Sequence, residues 1–293
     1  MTTDTLPPSM PPSGTASVAP GNAPRAVPDT TGRRALARGV KVADLVVRAA
    51  AVLFLAVPIL CVVVLSFSNA DVLQFPPEEW GLRQYRSFFG SDTWIDAMML
   101  SFKLATVSAA ISLLIGIPAV FALHRSRLPL KGLLQAIGLS PLVIPGVAYA
   151  VALYTLFVQF RLTSNLGALV LTYAVHGLPF VLLILGSAMA RLPAETELVA
   201  MTLGASRPRA MLGITLRQLL PAIGAAYLFS FITSFDEAVL INFLGGPGTV
   251  TLPKAIFDNV KTGLDPNITA IATLLMVGTG VVGSLAFMLR RKI

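Results

Sequence analysis

Six apolar runs, each long enough to cross a lipid bilayer as a helix, constrain this chain more than any other feature: 49–67, 98–123, 133–158, 166–190, 222–244 and 268–289. A bilayer core needs about 20 helical residues. Only 12% of the residues are charged, against roughly 25% in a soluble domain. Too little polar surface remains to cover a water-exposed body, so the fold class is all-α, a polytopic membrane protein with six transmembrane helices. Proline and glycine fall inside several runs (Pro58, Gly116, Pro118, Pro141, Pro145, Gly177, Pro179). Neighbouring helices must then satisfy the freed backbone groups, which implies a packed bundle.

Residues 1–48 form a separate region, expected as a whole to be a disordered, basic, cytoplasmic N-terminal segment. Residues 1–29 are rich in Pro, Ser, Thr, Gly and Ala with nothing aromatic, a composition that reads as disordered. Arg33, Arg34, Arg38, Lys41 and Arg48 follow. They imitate the basic start of a signal peptide, but the apolar run after them is too long and lacks a clear small-residue cleavage site, so it reads as a retained first span. The single cysteine, Cys61, excludes an internal disulfide and any cysteine-built zinc site; it reads as a small buried hydrophobe.

The basic residues set the orientation. Six Lys and Arg precede the first run, three lie in 124–131, four in 191–217 and three follow 289. The remaining six are Arg83, Arg86, Lys103, Arg161, Lys254 and Lys261. This bias predicts that both termini are cytoplasmic. The net charge of +8 is thus a record of topology, and nucleic acid is not expected as a partner.

The longest internal cytoplasmic segment, about 191–220, reads as two short helices. Pro193 opens the first, with Glu195 and Glu197 near its positive end. Gly204 can take the left-handed conformation that ends it. Ser206 can cap the second, Pro208 suits its first turn, and Pro221 marks its far end. Such an elbow is a rigid knob for a partner's groove; an ordinary amphipathic connector is the plainer alternative.

Here the chain resembles a known family. The stretch Glu197-Leu-Val-Ala-Met-Thr-Leu-Gly-Ala-Ser206, with Ile214-x-Leu216 following Gly204 after nine intervening residues, looks like the EAA loop of binding-protein-dependent ABC importer permeases. Aligned on Gly204, the motif's Glu and first Ala fall on Leu198 and Val199 and its Pro on Arg217, while Glu197 carries a carboxylate one position early. Ser140-Pro-Leu-Val-Ile-Pro-Gly146, Trp80-Gly-Leu-x-x-Tyr85, and Ser230-Phe-x-x-Ser-Phe-Asp-Glu237 are similar to the spermidine/putrescine-type branch. So are Gly246-Pro247, Thr251-Leu-Pro253, Val260-Lys-x-Gly263 and the run from Pro266 to Leu274.

The resemblance implies a type I importer permease, with residues 49–293 as the transmembrane domain, and it points to the second permease subunit of a polyamine-type system. It implies docking of the 191–220 loop on a separate ATPase through Glu197, Ala200, Gly204, Ala205, Ser206 and Arg207. The implied partners are two ATP-binding subunits, a second permease and an extracytoplasmic solute-binding protein, with membrane lipid around them. No cofactor is expected on this chain, which holds no Gly-x-x-x-x-Gly-Lys-(Ser/Thr) phosphate loop. ATP and Mg belong to the partner ATPase, and the chain is not expected to be an enzyme. Opines, phosphonates and amino-acid derivatives are carried by relatives of the same branch.

Asp236 and Glu237 are expected 14 to 15 residues into the fifth run, inside the membrane, where acids are functional by default. With Phe235 they read as part of the translocation pathway for a cation; a hydrogen-bonded structural pair is the alternative. His124 reads as a helix-end residue. His176 has no second His or Cys nearby for a metal site, and Tyr149, Tyr154, Phe157 and Phe160 read as packing and an outer aromatic belt. A stand-alone secondary transporter or channel is the alternative class, although the sequence shows no convincing repeat. A membrane-embedded hydrolase ranks last for lack of a nucleophile with a base.

Overall fold

The computed structural model describes residues 30–263 and 265–291; the expectation of disorder for 1–29 lies outside them. The chain divides into two units, residues 1–57 and residues 58–293. Helix α1 (Thr30–Ser66) joins the basic stretch and the first apolar run without a break. Residues 30–48 are therefore helical, which the composition of the first 48 residues had not suggested. Ala35, Leu36, Ala37 and Arg38 are all strong helix formers, and no proline precedes Pro58 within α1.

In the second unit, α2 (Arg83–Phe89) leads into α3 (Asp92–Arg125), followed by α4 (Lys131–Val143), α5 (Gly146–Gln159) and α6 (Leu166–Met189). Two short helices, α7 (Glu195–Thr202) and α8 (Arg207–Ala210), precede a π turn at Met211–Leu216. Then come α9 (Arg217–Phe235), α10 (Val239–Leu244), α11 (Leu252–Thr262) and α12 (Asn267–Arg291). Among the described residues the only strand-like pairing is an isolated bridge between Ser68 and Trp80.

The bundle is built on α3, α6 and α9, which pack on one another more than any other helices do. Lipid is as apolar as leucine, so burial of apolar area does not drive this packing; close backbone approach and interhelical hydrogen bonds do. The serines of α3 supply both. Ser108 Oγ donates to the Val170 carbonyl at 3.1 Å and Ser112 Oγ to the Ala174 carbonyl at 2.6 Å. Gly177 sits where a Cβ would collide with Ser230 Oγ on α9, so only glycine permits that approach. Around this seam pack Val120, Val181, Leu185, Met189 and Leu219, all buried.

Two expected spans take different forms. The run 133–158 is two helices, α4 and α5, meeting at 107°. Pro145 lacks an N–H and biases Ile144 toward extended backbone; Ile144 is indeed extended, with ψ 129°. The run 222–244 is displaced: one helix runs through Arg207–Phe235, breaks at 236–238, and resumes as α10. Pro221 therefore does not end a short cytoplasmic helix. The π turn just before it loosens the local hydrogen-bond ladder, the kind of adjustment that lets a spanning helix accommodate proline. Among the described residues four helices are long and apolar enough to cross a membrane, or five counting the bent pair as one span. The sixth expected run, 268–289, lies within the single helix α12 (Asn267–Arg291).

Candidate functional site

Two regions carry the functional candidates, one near each end of α3, a 34-residue helix about 50 Å long.

The first is the α7–α8 elbow. Gly204 has φ +92° with open space around it, and the Ala205 N–H donates to the Ala200 carbonyl at 3.0 Å. That is the left-handed glycine ending read from the sequence. Ser206 occupies the N-cap of α8 in extended conformation, but its hydroxyl makes no capping bond. Gly204, Ser206 and Arg207 are exposed; Ala200 and Ala205 are half-buried. Glu197 differs from the rest, being only 7% exposed. Its Oε1 accepts from Arg125 Nε at 2.9 Å and from Thr215 Oγ1 at 2.6 Å. Beside its exposed polar groups the elbow displays large apolar side chains: Leu198, Val199, Met201 and, at 84%, Leu203. The positions where the sequence departs from the EAA pattern are thus the outward-facing ones.

The second region is the corner between α9 and α10. Asp236 is exposed at the C-cap of α9 and makes no hydrogen bond or ion pair through its side chain among the described residues. It lies at the end of the Arg207–Phe235 span rather than within it. A helix C-terminus carries partial negative charge, so a carboxylate there is disfavoured by about 0.3–1 kcal/mol unless a cation is near. Glu237 has the opposite setting. Its Oε1 accepts the N–H groups of Val239 at 2.7 Å and Leu240 at 2.9 Å, capping α10. Its Oε2 lies 3.4 Å from His176 Nε2, and its carbonyl accepts from Tyr173 Oη at 2.9 Å. Glu237 therefore fits the alternative read for the acidic pair, a hydrogen-bonded structural group, whereas Asp236 does not.

Phe235 belongs to an aromatic ladder. Its ring stacks on Phe231 with centroids 5.8 Å apart, Phe231 stacks on Tyr227 at 6.4 Å, and Phe102 of α3 meets Phe235 edge-on at 5.1 Å. The spacing of four residues on α9 puts these rings on one helix face. Sequence reading overlooked Tyr227 and Phe231, although their period was available. It also missed Arg125 and Thr215, and the partnership of His176 with Glu237, where no local signal existed. His176 also stacks on Tyr149, centroids 6.3 Å apart. His124 Nδ1 lies 3.1 Å from the Val120 carbonyl, one turn back in its own helix. Among the described residues no three His, Cys, Asp or Glu side chains converge as a metal site would need.

The arrangement offers an exposed apolar elbow at one end and an exposed carboxylate beside aromatic rings at the other.

Comparison with known proteins places the chain among transport permeases. Residues 112–293 match the family described as binding-protein-dependent transport system inner membrane component. The chain is 31% identical over 246 residues to the putrescine transport system permease protein PotI of Escherichia coli K12, covering 82% of this chain and 87% of that one. It is 29% identical to the spermidine/putrescine permease PotC of Haemophilus influenzae, covering 82% and 93%. In fold it is similar to a chain of a bacterial ABC transporter that imports the acidic polysaccharide alginate, with TM-score 0.66 at 14% identity, covering 86% and 96%. A chain of the MetNI methionine transporter gives 0.58 at 17%, covering 68% and 94%.

Proposed function

The chain belongs to the binding-protein-dependent family of inner-membrane transport components, as a permease subunit of an ABC importer, and from that premise we propose that it carries a small organic cation of the polyamine class. The observation that carries the cargo reading is Asp236, an exposed carboxylate at the unfavourable end of a spanning helix and beside Phe235. A cation passing there relieves the charge, and ring faces attract it further. The putrescine and spermidine/putrescine permeases to which the chain is similar support the same class.

In this reading residues 49–293 form the transmembrane domain and the 191–220 loop is the coupling element. Leu198, Val199, Met201 and Leu203 supply the apolar face gripped by a separate ATPase, and Gly204, Ser206 and Arg207 complete the elbow's exposed surface. Both termini are cytoplasmic, in keeping with the distribution of basic residues. Two ATP-binding subunits hydrolyse ATP, a second permease completes the pathway, and an external binding protein delivers the solute. Asp236 and Phe235 line that pathway, and Glu237 holds the corner beneath them.

The test is reconstitution of the chain with its partner subunits and uptake of labelled putrescine and spermidine into proteoliposomes. ATP-dependent uptake that requires all subunits is expected. Gradient-driven uptake by this chain alone overturns the importer assignment, and uptake of an opine or phosphonate in preference to both amines overturns the cargo.

A further inference from the structure

The elbow is not simply hung between two spans; it is bolted to them by a buried polar junction. Arg125 is the last residue of α3. Its Nε donates to Glu197 Oε1 at 2.9 Å and its Nη2 to the Leu192 carbonyl at 2.9 Å. Arg207 Nη2 donates back to the Arg125 carbonyl at 2.9 Å. Thr215, in the π turn that begins the rise to α9, donates to the same Glu197 oxygen at 2.6 Å. The two charged side chains are only 13% and 9% exposed. Removing one partner of such a buried pair leaves the other charge uncompensated, so the junction resists separation.

We propose that Glu197 is a positioning residue that transmits force: it locks the elbow to α3 and to the π turn, so that displacement of the elbow moves both helices together. Resting on the coupling role proposed above for the 191–220 loop, this separates two tasks within it. The apolar side chains of α7 grip the ATPase, and Glu197, too buried to touch it, passes the movement on. Helix α3 carries that movement about 35 Å to Phe102, which packs on Phe235 beside Asp236.

The experiment uses the assembled importer in proteoliposomes, with solute uptake and ATP hydrolysis measured on one sample. Glu197→Gln is expected to retain the ATPase at the wild-type ratio and to hydrolyse ATP, while uptake per ATP falls on the order of tenfold, as loss of a buried charge pair implies. Arg125→Lys in an otherwise unchanged chain keeps the positive charge and is expected to lower the ratio less than Glu197→Gln does. Should Glu197→Gln fail to fold and accumulate in the membrane at all, Thr215→Val removes only the hydroxyl, and a fall of roughly twofold to fivefold in the same ratio is expected from one hydrogen bond. Unchanged uptake per ATP in the variant that assembles overturns the proposal, as does release of the ATPase by Glu197→Gln, which would make Glu197 a docking contact. A separate variant, Leu203→Asp, tests the coupling role itself. Full uptake with the ATPase retained in that variant sinks the docking assignment whatever Glu197 does.

Discussion

At the end of the bundle where α3 finishes, the carboxylate of Glu197 is turned inward and the side chains on display are leucine, valine and methionine. At the corner after α9, Glu237 is turned inward in the same manner, yet its neighbour Asp236 is exposed and, among the described residues, unpaired. Each region thus has one acid tied into the fold by hydrogen bonds and a different exposed group beside it. The exposed group is apolar where the expected partner is a protein and charged where the expected visitor is a cation. Adjacent acids with opposite surroundings cannot be assigned one role, so the Asp-Glu pair is better read as two residues with separate tasks.

Substitutions can break or sharpen this contrast. Gly204→Pro should have the largest effect, because a ring fixed near φ −65° cannot adopt φ +92°. ATP-driven uptake should fall to background while the chain remains in the membrane fraction, and normal uptake would remove the elbow from the mechanism. Leu198→Asp places a charge in the apolar face and should weaken ATPase retention about 100-fold, the scale of an interface hot spot; co-purification measures it. Asp236→Asn should lower uptake of a dication about tenfold, roughly the value of one charge-assisted contact, with ATPase retention unchanged. If assembly fell in step with uptake, Asp236 would belong to a subunit contact instead. Glu237→Ala should act on stability, lowering the thermal midpoint by the equivalent of about 1–3 kcal/mol as two N–H groups lose their acceptor. Ser112→Ala, between the two regions, should cost only about 0.6 kcal/mol and leave uptake per ATP alone.

Much of this was legible beforehand because lipid leaves a coarse signature. The runs at 98–123 and 166–190 became α3 and α6 nearly in place, since hydropathy alone defines such spans. Gly204 and Pro208 marked the elbow through backbone preferences that act within a few residues. What escaped reading depends on distance along the chain. Arg125 and Glu197 are 72 positions apart, and nothing local distinguishes Arg125 from the other basic residues of its loop. The displacement of the fifth span had a local cause that was misjudged: Pro221 was given the power to stop a helix that a π turn takes away. The acidic pair was correctly noticed, but only the α10 N-terminus, formed by the break itself, separates Glu237 from Asp236.

The π turn at Met211–Leu216 has one more consequence, and it concerns counting. A turn with i→i+5 bonds holds about one residue more than an α turn, so it stores a residue of slack between the elbow and the aromatic ladder. Deleting one residue within 211–216 should let the segment relax to plain α-helix while Tyr227, Phe231 and Phe235 keep their direction relative to α8. The same deletion within 222–226 has no slack to draw on and should swing the rings by about 100°. Register in this helix is therefore tolerant at its base and strict above it.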